Sequence, residues 1–271
     1  MATDHEAPVN KRFVFIGGLH RSGTSVLHRI VRSHEAVSGF RDTGAIEDEG
    51  QHLQSVFPPA REFGGPGRFA FDQRSHLTER SPLASAANRV ELFAQWSRYW
   101  DVNKDVLVEK SPPNIIRSRF LQAMFPRSWF LFIVRHPIPT SLATRKWSHT
   151  DVKELLAHWL TAHTIMLHDL AALERCLLLR YEDLCASPDA ELARVWSFLE
   201  LEARPYTGTL SDQNQRYFLK WEAEGASAGA VLSEDRASAL LTRFGYLSAK
   251  PYLRHVDLTS APAPGSVSLC V

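Results

Sequence analysis

Four short apolar runs recur along the chain, and each ends abruptly at polar residues. Phe13-Val14-Phe15-Ile16 runs into Gly17-Gly18, and Val106-Leu107-Val108 into Glu109-Lys110-Ser111-Pro112-Pro113. Trp129-Phe130-Leu131-Phe132-Ile133-Val134 stops at Arg135-His136-Pro137, and Cys176-Leu177-Leu178-Leu179 at Arg180-Tyr181-Glu182-Asp183. Short, unbroken apolar runs rich in β-branched and aromatic residues are the pattern of strands buried on both faces. Between them the period changes. Val26, Leu27, Ile30 and Val31 recur at helical spacing to about His34, and further helical patterns cover about 85–100, 114–125, 151–174 and 188–200. Pro112-Pro113 stops one strand and can open the helix carrying Ile115, Ile116, Phe120 and Leu121. This alternation predicts a three-layer α/β domain, a central parallel sheet flanked by helices. Such sheets bind ligands at the carboxyl ends of their strands, where the four polar clusters fall.

Residues 56–75 are rich in Gly, Pro and Phe without a period, which predicts a long ordered loop or lid. The stretch from Thr259 to Val271 reads as a flexible tail, leaving a single domain over 1–258. With 44% hydrophobic and 23% charged residues the chain has an ordinary globular composition. Its 31 basic and 30 acidic residues argue against a nucleic-acid partner held by a broad basic face, so any anion site is local. Cys176, Cys185 and Cys270 form neither a CxxC pair nor an even disulfide framework. No cationic-then-apolar leader opens the chain and no run is long enough to span a membrane, so a cytoplasmic location is expected. Oligomeric state is left open.

Gly18-Leu19-His20-Arg21-Ser22-Gly23-Thr24-Ser25 has the GxxxxG frame of a P-loop-like turn between strand and helix, which aims backbone N–H groups and a helix N-terminus at phosphate. A Walker A loop needs Lys-Ser or Lys-Thr after its second glycine; here Thr24-Ser25 follows, and the nearest cation is Arg21. That weakens a kinase reading without removing it. A nucleotide-binding protein without catalysis is the other alternative.

Arg21-Ser22-Gly23-Thr24-Ser25 resembles the 5′-phosphosulfate loop of sulfotransferases that use 3′-phosphoadenosine 5′-phosphosulfate (PAPS). Val108-Glu109-Lys110-Ser111-Pro112, Ile133-Val134-Arg135-His136-Pro137 and Arg180-Tyr181-Glu182-Asp183-Leu184 resemble that family's later motifs in the same order, and the likeness covers roughly residues 12–200. It implies PAPS as co-substrate, no metal, and in-line sulfuryl transfer to a hydroxyl or, as second choice, an amine. Sulfuryl transfer, like phosphoryl transfer, needs cations where charge builds on the departing oxygen.

By the same resemblance Lys110 assists the leaving group and Arg135 binds the 3′-phosphate. The family serine eight residues beyond this arginine is replaced by Ala143, so Ser141 is the expected substitute hydroxyl, with Thr140 and Thr144 nearby. Tyr181 and, in a late segment with Trp221, Lys220 are expected near the nucleotide. A general base should take the acceptor's proton. Glu47 and Glu49, in Glu47-Asp48-Glu49-Gly50-Gln51-His52, stand where carbohydrate and protein-tyrosine sulfotransferases carry their catalytic glutamate, and the sequence does not choose between them. His52 and His20 rank below. His158, His163 and His168 are five apart, off the spacing that brings ligands onto one helix face. The expected acceptor is a small molecule, glycan or glycolipid, meeting segment 56–75 and aromatics such as Phe93, Trp96, Tyr99, Trp100 and Trp147. Such aromatics are more often core than platform.

Overall fold

The computed structural model describes residues 10–223, 231–232 and 234–246; the expected tail lies outside the described residues. Five parallel strands form one sheet in the order β2-β3-β1-β4-β5, with β1 Arg12–Gly17, β2 Val37–Gly39, β3 Val106–Lys110, β4 Ser128–Val134 and β5 Cys176–Arg180. The four predicted strands are all present. β2, only three residues long at the sheet edge, has too short an apolar signal to be read from the chain.

Because side chains alternate along a strand, one sheet feeds two cores. Phe13, Phe15, Leu107, Phe130 and Phe132 face one side, under α2 (Ala86–Trp96), α3 (Ser118–Met124), α4 (Pro137–Ser148) and α5 (Val152–Leu170). Val14, Ile16, Val106, Val108, Leu131 and Ile133 face the other, under α1 (Thr24–Arg32), α6 (Tyr181–Ala186) and α7 (Pro188–Phe198). This is the expected three-layer arrangement. Helices α4, α6, α8 (Asn214–Ala223) and α9 (Asp235–Arg243) were not among the predicted patterns. Phe93, Trp96 and Trp100 are core residues, whereas Tyr99 and Trp147 are exposed.

Residues 56–75 form an ordered segment of short 3-10 turns, at Ala60–Phe63, Phe69–Phe71 and Gln73–Ser75. Buried Arg117 holds it down, its Nε donating to the Ser75 carbonyl at 3.3 Å and its guanidinium lying 5.2 Å from the Phe57 ring. On the other flank the Ala70 N–H donates to His158 Nε2 at 3.2 Å. No helix among the described residues is long and apolar enough to cross a membrane.

Register sets the site. Ile16 pairs with Lys110, Gly17 with Phe132 and Val134 with Arg180, so the loop after β1, Lys110 and Arg135 emerge on one edge of the sheet.

Candidate active site

The loop after β1 turns sharply: Arg21 and Gly23 have φ of 69° and 108°. A Cβ on Gly18 would stand 2.5 Å from the Ile133 carbonyl, so the loop can lie on β4 only with glycine there. Ser22 is buried and its hydroxyl donates back to the Leu19 carbonyl at 2.6 Å, which fixes the turn. Gly23 caps α1, and the helix has no acidic residue in its first turn. No side chain caps it, and the Val26 N–H donates to the Gly23 carbonyl at 3.1 Å, so the positive dipole end and the N–H groups before Val26 face an anion's place. Arg21 is exposed beside them.

Arg135 is 5% exposed and is oriented by two hydrogen bonds, Nε to Asn214 Oδ1 and one terminal nitrogen to the Arg21 carbonyl, both at 2.8 Å. Its other terminal nitrogen is buried with no hydrogen-bond partner. The guanidinium lies 4.3 Å from the Tyr181 ring and 5.6 Å from the Tyr217 ring, and Lys146 lies 5.2 Å from Tyr217 on its own account. Tyr181 links this group to the loop, since a Cβ on Gly23 would meet its ring at 3.0 Å. Burial pushes the Tyr181 hydroxyl up to about 12, so it serves as a neutral donor, to the Ser211 carbonyl at 3.1 Å. A buried guanidinium nitrogen without an acceptor, beside an anion-binding helix terminus, fits a nucleotide carrying two separate phosphate groups.

Lys110 is fully buried, its ammonium donating to the Glu47 carbonyl at 2.9 Å and to Glu49 Oε1 at 3.3 Å. Glu49 is 4% exposed, and burial raises its carboxyl above the ordinary range against the opposing pull of Lys110 and of Gln51. Glu47, with φ of 53°, is exposed and accepts from Ser25 Oγ at 3.0 Å, so it stands at the start of α1. The two glutamates are therefore separated in role: Glu49 on the buried lysine, Glu47 at the mouth.

Both histidine candidates are poor bases. Burial, then the charges of Lys110, His52 and Arg21, pushes His20 down to about 3, and burial and Arg61 also lower His52. His52 Nε2 lies 3.7 Å from Glu49, too far for a hydrogen bond. Ser141 Oγ has no partner and faces a small cavity of about 10 Å³ behind the loop, shared with His20, Thr140, Thr144 and His158. Lys220 is half-buried on α8, three residues beyond Tyr217 in the chain. His158 and His163 are core residues, and no cluster of three or more metal-binding side chains occurs among the described residues.

Residues 14–205 match the model of the Sulfotransferase family. The chain belongs to that family. Protein-tyrosine sulfotransferase A of Caenorhabditis elegans is 23% identical over 204 residues, covering 70% of this chain and 50% of that protein. Protein-tyrosine sulfotransferase 2 of Gallus gallus is 26% identical over 198 residues, covering 69% and 50%. The chain thus spans about half the length of these curated relatives. Among solved structures, the sulfotransferase domain of the Synechococcus PCC 7002 olefin synthase aligns with a TM-score of 0.54 at 19% identity, covering 91% of this chain and 98% of that one. The sulfotransferase domain from the curacin biosynthetic pathway aligns with a TM-score of 0.51 at 16% identity, covering 87% and 98%. The fold is that of these enzymes, and sulfotransferases of this family take their sulfuryl group from PAPS.

Within this sulfotransferase fold, three residues have work that the reading of the chain did not assign. Asn214, on the unpredicted α8, holds Arg135 and donates from Nδ2 to Glu182 Oε1 at 2.8 Å. Glu182 also accepts from the His136 N–H at 3.0 Å and the Tyr246 hydroxyl at 2.8 Å, binding the late segment to β4 and β5. Glu109 is fully buried next to Lys110 and accepts from the Gly50 N–H at 3.0 Å, Ser111 Oγ at 2.6 Å and Asn114 Nδ2 at 2.6 Å. Burial pushes its carboxyl up to about 7. A charged residue inside an otherwise apolar strand was the available signal for Glu109; Asn214 had none, because it lies 79 residues from its partner.

Proposed function

We propose that this protein transfers a sulfuryl group from PAPS to a hydroxyl acceptor, with Glu49 as general base and Lys110 as the leaving-group cation. The observation that carries this is the buried Lys110–Glu49 pair, 3.3 Å apart, at the sheet edge where the anion-binding loop also emerges. Nucleotide binding alone has no use for a buried carboxylate held against that lysine, because a carboxylate repels phosphate. Bound PAPS would supply the sulfuryl group, its bond to the 5′-phosphate breaking as the bond to the acceptor oxygen forms.

The chain's own groups then divide the work. Arg21, Ser22, Gly23, Thr24 and Ser25 cradle the 5′ side, the backbone N–H groups of the α1 start carrying most of the contact. Arg135, with Tyr181, Tyr217 and Lys146 around it, receives the 3′-phosphate on its unpartnered nitrogen, and Lys220 adds charge from α8. Lys110 holds its positive charge where negative charge grows on the leaving oxygen. Glu49 accepts the acceptor's hydroxyl proton; its raised carboxyl pKa brings it nearer the operating pH of a base. Glu47 stands at the mouth, on Ser25, where it meets the incoming acceptor first.

We read one domain, supported as far as residue 246 by the Tyr246–Glu182 hydrogen bond that binds the late segment to the sheet. A reducing, cytoplasmic setting is our reading, supported by a sequence whose three cysteines form neither a CxxC pair nor an even disulfide framework. Calorimetric titration with 3′-phosphoadenosine 5′-phosphate, without metal, tests the donor: micromolar binding, with ADP and Mg²⁺ much weaker, is the expected result. Preference for ADP with Mg²⁺, or no binding of either, refutes the reading. Both curated relatives are named for protein tyrosine, so a tyrosine-bearing peptide joins small phenols, sugars and glycolipids on the acceptor panel.

A further inference from the structure

Gln51 is 2% exposed and sits between the catalytic carboxylate and the first turn of the 60–75 segment. Its Oε1 accepts from the Ala60 N–H at 2.8 Å, and its Nε2 donates to Glu49 Oε2 at 2.6 Å. A backbone N–H can only donate, so Ala60 dictates which end of the amide faces it. The NH₂ end is thereby turned onto Glu49. The Gln51 backbone is itself pinned, its N–H donating to Ser111 Oγ at 3.0 Å, and Ser111 donating in turn to Glu109. Glu49 is consequently gripped at both oxygens, by Gln51 on Oε2 and Lys110 on Oε1.

We infer that Gln51 is a positioning residue that fixes the plane of the Glu49 carboxylate and couples it, through the Ala60 N–H, to the 60–75 segment. The inference rests on the reading of Glu49 as the base. An amide suits the position because it stabilises the ionised carboxylate without a second charge that would compete with Lys110. The other groups facing Glu49 do not replace it. His52 on the same segment is out of hydrogen-bond range, while Glu47 beside it and Glu109 on β3 are acids that give Glu49 no positive partner. Without the amide, Lys110 alone would orient Glu49, and the carboxylate could pivot about that one contact.

Two variants test this. Gln51→Met keeps length and burial but removes both hydrogen bonds. Ala60→Pro leaves Gln51 intact and removes only the N–H that orients it; Ala60 opens a 3-10 turn after an extended Pro59, a position compatible with proline. The readout is the titration of the Glu49 carboxyl by NMR in protein labelled with ¹³C at glutamate Cδ and saturated with 3′-phosphoadenosine 5′-phosphate. The Glu49→Gln variant assigns the resonance. The midpoint should rise by about one pH unit in Gln51→Met and by a smaller amount in Ala60→Pro. Affinity for the bisphosphate should stay within about twofold in both. Midpoints unchanged from wild type in either folded variant overturn the inference, since a merely structural glutamine would alter stability and leave that titration in place. Release of the bisphosphate from PAPS separates the two ideas. If Glu49→Gln keeps turnover, the base reading falls. If Glu49→Gln loses turnover while Gln51→Met keeps both the wild-type midpoint and turnover, only the Gln51 inference falls.

Discussion

Replacing Lys110 with alanine separates catalysis from binding more sharply than any other change in this site. The ammonium is fully buried and donates to the Glu47 carbonyl and to Glu49 Oε1, neither of which belongs to the loop or to the Arg135 group. Loss of one positioned group that stabilises developing charge costs about 2.7–4 kcal/mol of transition-state stabilisation, or a factor of about 10²–10³ in kcat. A further loss comes from Glu49. Lys110 is the largest influence opposing its burial, so the carboxyl rises further once the lysine is gone and less of the base is ionised at pH 7. Folding suffers as well. Breaking a buried charge pair costs about 3–5 kcal/mol, and the value should fall at the low end because Gln51 still donates to Glu49 and the acid can protonate. Against a total stability of about 5–15 kcal/mol the variant remains folded with a lower Tm. Sulfuryl transfer from PAPS gives kcat, and calorimetry with 3′-phosphoadenosine 5′-phosphate gives affinity, which should fall far less than kcat because the loop and the Arg135 group keep their contacts. Equal losses in turnover and in affinity would refute the reasoning and make Lys110 a nucleotide-binding residue.

Arg135→Met should weaken 3′-phosphoadenosine 5′-phosphate by about 10–100-fold, the worth of a charge-assisted hydrogen bond to an anion, and should affect adenosine 5′-phosphosulfate, which lacks the 3′-phosphate, far less. Equal weakening of both ligands would mean that Arg135 shapes the loop through the Arg21 carbonyl and does not touch the 3′-phosphate. Acid should unfold the protein between about pH 6 and 4.5, followed by near-ultraviolet circular dichroism. His28, His136 and His158 are pushed down to about 3 and His163 to about 4, in each case chiefly by burial, so the folded state binds fewer protons than the unfolded chain. Their stabilisation is complete above the unfolded value near 6.5 and is lost as pH falls, together about 6 kcal/mol at one pH unit below it. Glu109, pushed up to about 7, has the opposite sign and returns about 2 kcal/mol over the same interval. A native spectrum at pH 4.5 would refute the burial of these imidazoles.

The chain itself determined the α/β class, because strands buried on both faces must be continuously apolar and a sheet covered by helices must alternate with them. It also placed the loop, Lys110 and Arg135 at strand ends, since each follows directly on an apolar run and parallel strands all point the same way. Local pattern failed where the element was short or its partner distant. β2 has three residues, and α8 earns its place by carrying Asn214 to Arg135 and Tyr217 to its flank. The choice between Glu47 and Glu49 is a matter of tertiary structure. Two residues apart in sequence, they differ only in how the turn at Glu47 aims them, one to Ser25 at the mouth and the other under Lys110. Gln51 and Glu109 are the plainest case. Each is held by a hydrogen bond, the Gln51 N–H to Ser111 Oγ and the Gly50 N–H to Glu109, that exists only after the end of β3 and the 47–60 segment have packed together, and no periodicity or motif encodes the meeting of two chain segments in space.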